Sequence, residues 1–303
     1  MKKLMCVFLV LTILLFSSCT GNTSKTQEGK ITIATSFYPV YIFTLNLVNG
    51  IDEIKVECMA EQSVGCLHDY TLTARDARLL SDAEALIING AGMESFLEDA
   101  FESVENLKVI DSSENIRLIC NEEHNHEGTS QDHNHHENSH IWLSVDNAKI
   151  QVENIKNALI TEFPEHEAAI EENYKDYITR LNKLIEKRDS ISFEGKDVSA
   201  ISFHGAYEYL SEELGFLIAS TIESDEGKEP SAKELAQLTK IIKKDSIRAL
   251  LIEPDYSGSA AEILSREASI EIYTLNPIVS GEVKLTAYED AMNKNYDILE
   301  AVK

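Results

Sequence analysis

The chain is poor in positive charge. Its 27 lysines and arginines stand against 52 aspartates and glutamates over 303 residues, a formal net charge of −25. Nucleic acid, which needs basic surface, is thereby excluded as a partner. An acidic surface favours solubility and attracts cations without selectivity. Catalytic signatures are scarce as well. No GxSxG elbow occurs, which removes the commonest serine-hydrolase arrangement, and the one HExxH match, His136-Glu137-Asn138-Ser139-His140, falls in a polar tract without the apolar helical period that motif needs. Cysteine is sparse, at five residues. Cys6 and Cys19 lie near the N-terminus, so Cys58, Cys66 and Cys120 leave an odd number for an oxidising compartment. Cys58 and Cys66 are close enough in sequence to pair, but no arrangement stands out. A long apolar run is also lacking. The one candidate, residues 4–16, is too short for a comfortable membrane span.

That run reads instead as part of an export signal. Lys2 and Lys3 form the positive start, residues 4–16 the apolar region, and Ser17 and Ser18 precede Cys19. Small residues before a cysteine, then a polar stretch, resemble a bacterial lipoprotein signal, with Phe16 where such signals usually carry Leu. On this reading residues 1–18 are removed, Cys19 carries the lipid and residues 19–29 are a tether. The expected location is the periplasmic or outer face of the cell envelope, with the membrane reached through the N-terminal lipid. A plain secretory signal is the alternative, and it too implies export.

Hydrophobic residues make up 43% of the chain, enough for real cores, and the length suits two domains. Short apolar runs at 30–35, 54–59, 84–89 and 107–111 read as strands, with helices expected at 39–49, 73–80 and 93–104. After helical patterns at 145–163 and about 165–189, the alternation resumes. Strands are expected at 198–203, 216–220, 248–252 and 270–275, and helices at 206–214, 231–244, 259–268 and 287–302. Thr73 with Asp76, and Ser231 with Glu234, carry the capping-box pattern. Strand–helix alternation predicts an α/β fold of βαβ units with parallel sheets. The division is an N-terminal lobe at 30–163, a linking helix at 164–190 and a C-terminal lobe at 191–303, with a ligand cleft between the lobes.

Six of the nine histidines fall in one tract: His124, His126, His133, His135, His136 and His140. Imidazole is the commonest protein ligand for zinc-like ions. The first five sit among Asn, Glu, Asp, Gly and Ser, in a stretch (121–139) with nothing apolar to bury, which reads as a loop. His140 differs, because Ile141, Trp142 and Leu143 follow it directly. Two isolated histidines, His68 and His204, also stand between a strand or loop and a helix or apolar segment. Ligand crevices in α/β sheets form at the carboxyl ends of strands. His68, His140 and His204 therefore make a candidate trio for one ion, while His124, His126, His133, His135 and His136 are accessory binders. Taken singly, a histidine after a strand is more often a hydrogen-bonded loop residue.

The words around these histidines carry a resemblance. They are His68-Asp69-Tyr70 followed by Asp76-Ala-Arg-Leu-Leu80, His140-Ile-Trp-Leu143, Ser202-Phe-His204-Gly-Ala-Tyr207, Glu229-Pro-Ser231, Leu251-Ile-Glu253-Pro254 and Leu275-Asn276-Pro277. In this order across residues 30–303, the chain resembles the metal-binding receptors of bacterial zinc and manganese ABC transporters, especially the zinc-uptake type. The resemblance implies two Rossmann-like lobes, each a mainly parallel sheet flanked by helices, joined by one long rigid helix. It implies metal ligation by His68, His140 and His204, with Zn²⁺ as transported ligand. The implied partner is an ABC permease, its ATPase engaged indirectly, and the receptor works as a monomer. Two positions depart from the pattern. Asn276 stands where the family commonly has Asp, and Leu67 where members often carry Pro or Glu. The fourth ligand is then water, Asn276 or Cys66. Three neutral imidazoles favour Zn²⁺ over Mn²⁺, which prefers oxygen. Asp69 and Glu253 are candidates to orient the rings. The rival readings are a surface metal buffer or adhesin of the same fold, and a hydrolase using a three-histidine zinc.

Overall fold

Runs such as Ala85–Ile88 and Ala249–Ile252 are apolar throughout, the composition of strands covered on both faces. In the computed structural model, which describes residues 30–60, 70–97, 107–120, 137–191, 193, 195, 197–222 and 230–302, they are the inner strands of two separate sheets. The first sheet holds β1 (Ile31–Thr35), β2 (Ile54–Cys58), β3 (Ala85–Ile88) and β4 (Lys108–Asp111). The second holds β5 (Ser199–Ser202), β6 (Leu217–Thr221), β7 (Ala249–Ile252) and β8 (Glu271–Thr274). Both are parallel throughout, in the orders β2-β1-β3-β4 and β6-β5-β7-β8. The same order in each lobe means the same switch point, between β1 and β3 in one and β5 and β7 in the other.

Parallel pairing demands crossovers, and helices supply them. They are α1 (Tyr38–Leu47) and α2 (Ala74–Asp82) in the first lobe, with α3 (Val145–Glu162) behind its sheet. The second lobe has α5 (Glu208–Leu214), α6 (Ala232–Lys244), α7 (Ala260–Ala268) and α8 (Ala287–Glu300). Both sequence capping boxes form. Thr73 and Asp76 exchange side-chain and backbone bonds at the start of α2, and Ser231 and Glu234 do the same for α6. The helix expected at 93–104 differs in its described part, which is a single 3-10 turn, Ser95–Leu97. It follows Gly90, Ala91 and Gly92, all at positive φ, so the chain enters through a tight reversal that a regular helix start does not use. The remainder lies outside the described residues.

The expected long helix is α4, Glu167–Ile191, 25 residues, and so about 37 Å long. It grips both lobes along its length. Asn173 Nδ2 donates to the carbonyls of Leu47 (3.0 Å) and Asn49 (2.8 Å) at the end of α1. Arg180 joins Asn46 of α1 to Glu289 of α8 and donates to Leu285 O at 2.9 Å. Arg188 pairs with Asp146 of α3 (2.5 Å) and Glu213 of α5 (2.8 Å). Such charge-assisted forks have fixed geometry and resist sliding of one lobe past the other. Beneath them one hydrophobic cluster is continuous through both lobes, including Ile33, Phe43, Trp142, Tyr177, Tyr207, Tyr288 and Met292. No helix among the described residues is long and apolar enough to cross a membrane.

Candidate metal centre

His204 owes its place to strand register. Ser202 of β5 pairs with Leu251 of β7. Two residues further along each parallel strand come His204 and Glu253, side by side at the switch point. His204 Nδ1 makes a short contact with Glu253 Oε1. A carboxylate only accepts, so this contact puts the proton on Nδ1 and leaves Nε2 as the nitrogen with a lone pair. The turn is braced locally, since Ser202 Oγ donates to His204 O (2.6 Å) and accepts from His204 N–H (3.3 Å). Of the two residues expected to orient a ring, the register thus brings Glu253 to His204.

His140 is set differently. The 3-10 turn Ile141–Leu143 follows it, and Ser144 then caps α3 by accepting from Asn147 N–H at 3.1 Å. Trp142, the only tryptophan, is fully buried. Its Nε1 donates to Pro277 O (2.8 Å), and its carbonyl accepts from Tyr288 Oη (2.8 Å). The second lobe thus anchors the turn that follows His140. Glu213 of α5 adds to this, accepting from Ser144 Oγ (2.9 Å) and from the backbone N–H groups of Val145 (3.2 Å) and Asp146 (3.0 Å). The His140 ring meets the His204 ring at 90°, with centroids 4.8 Å apart. Its Nδ1 lies 3.0 Å from Asn138 Oδ1.

Around the pair the chemistry is mixed. Burial pushes the Glu208 carboxyl up, opposed by its own backbone N–H, the nearby His140, and the Asn138 and Thr221 side chains. Burial likewise raises the Tyr207 hydroxyl well above its ordinary value. That hydroxyl donates to Leu275 O at 2.7 Å, tying down the loop that carries Asn276. Asn276 Oδ1 accepts from Ile278 N–H (2.7 Å) and supports Ile278 at positive φ, while Asn295 clamps the Asn276 backbone on both sides. The amide oxygen of Asn276 therefore already holds a turn.

The sequence trio is brought together in two of its members, His140 and His204. His68, with Leu67, Cys66 and Asp69, lies outside the described residues, as do His124, His126, His133, His135, His136 and Cys19. Among the described residues no group of three or more His, Cys, Asp and Glu side chains is arranged to hold a metal ion. Packed structure resumes ahead of His140, because Asn138 and Ser139 are already buried. The polar composition of the tract hides this. The only sequence signal was their closeness to the Ile-Trp-Leu anchor.

Two parallel-sheet lobes braced by a long helix, with paired imidazoles where the lobes meet, define a two-lobed metal-receptor architecture. The chain belongs to the ZnuA family, described as zinc-uptake complex component A, periplasmic, whose family model matches residues 33–302. This is a family of solute-binding receptors rather than enzymes. The zinc-binding lipoprotein AdcA of Streptococcus pneumoniae strain R6 is 29% identical over 301 residues, covering 98% of this chain and 58% of the relative. The chain therefore spans little more than half the length of that protein. The high-affinity zinc uptake system protein ZnuA of Bacillus subtilis strain 168 is also 29% identical, over 99% of this chain and 97% of its own length. Among solved structures, the metal-dependent lipoprotein YcdH of Bacillus subtilis superposes with a TM-score of 0.74 at 26% identity, covering 90% of this chain and 98% of that one. The Zn(II)-bound ZnuA-like domain of Streptococcus pneumoniae AdcA gives 0.73 at 26% identity, covering 90% and 100%.

Proposed function

We propose that this protein captures Zn²⁺ outside the cytoplasm and passes it to the permease of an ABC transporter for uptake. His68, His140 and His204 are the ligands in this reading, and a water completes a near-tetrahedral set. The observation that carries it is the edge-on pair His140–His204, each ring with Nδ1 beside a protein oxygen and so with Nε2 turned to metal duty. Neutral imidazoles favour Zn²⁺ over Mn²⁺. Water is assigned the fourth position because Asn276 Oδ1 is engaged by Ile278. The pneumococcal relative is a zinc-binding lipoprotein and the Bacillus relative a zinc uptake system protein, which supports the same cargo here.

The rest of the reading follows from the sequence. Residues 1–18 direct export, Cys19 carries the lipid that holds the protein at the membrane, and the receptor works as a monomer without turnover chemistry. The histidines of residues 124–136 collect metal loosely as accessory binders. Calorimetric titration tests the core of this. Wild-type protein is expected to take up Zn²⁺ tightly, and His204→Ala to lose affinity by orders of magnitude. An unchanged affinity removes His204 from the site. Normal growth of a strain lacking the protein under zinc starvation overturns the uptake role.

A further inference from the structure

We infer that Asn138 is the positioning residue that decides which nitrogen of His140 faces the metal, through an amide locked in one orientation by the C-terminal lobe. The metal's identity here rests on the zinc reading above; the geometry does not. Asn138 Nδ2 donates to Gly205 O at 2.7 Å and to Glu208 Oε2 at 2.8 Å. Both partners are acceptors at the start of α5. Asn138 Oδ1 accepts from the His140 backbone N–H at 2.9 Å and stands 3.0 Å from His140 Nδ1. Flipping the amide would set its oxygen against two acceptors and its NH₂ against a backbone donor. Three contacts of settled polarity therefore fix one orientation.

With Oδ1 facing the ring, Nδ1 must carry the proton, because a carbonyl oxygen cannot donate. Neutral imidazole then has its lone pair on Nε2, the form a metal needs. Asn138 and His140 are 2% and 4% exposed, so water does not compete for these bonds. The backbone is held from the same helix, since Tyr209 Oη donates to Asn138 O at 2.7 Å. The lobe that carries His204 thus also sets the tautomer of His140. His204 gets its tautomer from a carboxylate and His140 from an amide, so the two rings are fixed by different chemistry.

The test is long-range ¹⁵N–¹H NMR on the metal-free full chain, with the His140 signals assigned by comparison with His140→Gln. The expected result is His140 protonated at Nδ1. Asn138→Leu keeps the volume but not the polar atoms; it should let the Nε2–H form appear and lower zinc affinity about 10- to 100-fold. Tyr209→Phe removes a tie to the same backbone but leaves the amide, and should keep the wild-type tautomer and affinity. Finding His140 protonated at Nε2 in wild-type protein overturns the inference, as does an equal affinity loss in both variants. If Asn138→Leu does not fold, the wild-type tautomer decides alone. Absence of tight zinc binding in wild-type protein would instead sink the zinc reading, leaving the tautomer result standing.

Discussion

The two lobes share one strand order, yet their crevices are used in opposite ways. Counting two residues past the paired positions Thr35–Ile87 and Ser202–Leu251 makes Phe37 the counterpart of His204, and Asn89 the counterpart of Glu253. In the second lobe these positions carry an imidazole and a carboxylate, part-exposed and in contact. In the first they carry an aromatic ring against Trp142 (centroids 4.9 Å apart) and a buried amide. The first crevice is also filled from within. Glu94 turns inward and accepts from Ser36 Oγ (2.7 Å) and from the N–H groups of Asn89 (2.7 Å) and Gly90 (3.1 Å). One topology thus supplies two crevices. The side chains at the strand ends decide which is sealed and which is left for chemistry.

The largest break in this contrast should come at Phe37. If the first crevice is structural, Phe37→Ala should lower unfolding free energy by about 3–5 kcal/mol in urea, as loss of a buried aromatic does. Zinc affinity should fall far less than it does for His204→Ala. A small stability change would mean the first crevice is not part of the core.

Glu94 provides the next. Burial pushes its carboxyl up to about 7, against the pull of the Ser36, Asn89 and Gly90 donors. A carboxyl whose native pKa is raised binds its proton more tightly folded than unfolded, so ionising it costs stability. That contribution is in full effect below the ordinary pKa of 4.5 and is lost as pH rises through about 7. The span corresponds to about 3 kcal/mol. Urea unfolding at pH 5 and pH 8 should therefore show wild-type protein losing stability relative to Glu94→Gln, whose curve lacks this ionisation. Parallel curves would remove Glu94 from the account.

These two residues also mark what the sequence conveyed and what it did not. Strand runs, both capping boxes and the 25-residue helix were legible because their causes are local. The candidacy of His140 and His204 was legible from the segments around them, and the fold places the two rings side by side. Glu94 was not, since it reads as one polar residue in an expected helix, and its partner Ser36 is 58 residues away. Arg180 reads as a surface charge on a periodic helix, while its partners Asn46 and Glu289 come from opposite ends of the chain. Asn138 was masked by the polar composition on its N-terminal side. Buried polar groups are paired by the fold, and pairing across such distances leaves no periodicity to read.

A smaller change sharpens the role of the open crevice. Glu253→Gln keeps an oxygen for His204 Nδ1 and removes the negative charge. Zinc affinity should fall about 10-fold, the lower end of what outer partners of ligating histidines are worth. Stability should barely move, because the pair is part-exposed. A loss as large as that of His204→Ala would mean that Glu253 binds the metal itself.

The least effect on the tight site is expected from removing residues 124–136, and this isolates the crevice from its surroundings. The described residues on either side of the tract already meet. Cys120 and Glu137 form an antiparallel bridge, and Asn138 N–H donates to Ile119 O at 2.8 Å. Tyr209 Oη clasps both ends, accepting from Ile119 N–H (3.0 Å) and donating to Asn138 O (2.7 Å). After deletion, Asn121, Glu122 and Glu123 join Cys120 to Glu137, a connection of a length that hairpins commonly use. The clasp, Asn138 and His140 should stay in place. Titration should then show fewer zinc ions bound in total and an unchanged tight affinity. If tight binding disappears with the five histidines, the metal is held by the tract and not between the lobes, and the contrast between sealed and open crevices loses its functional meaning.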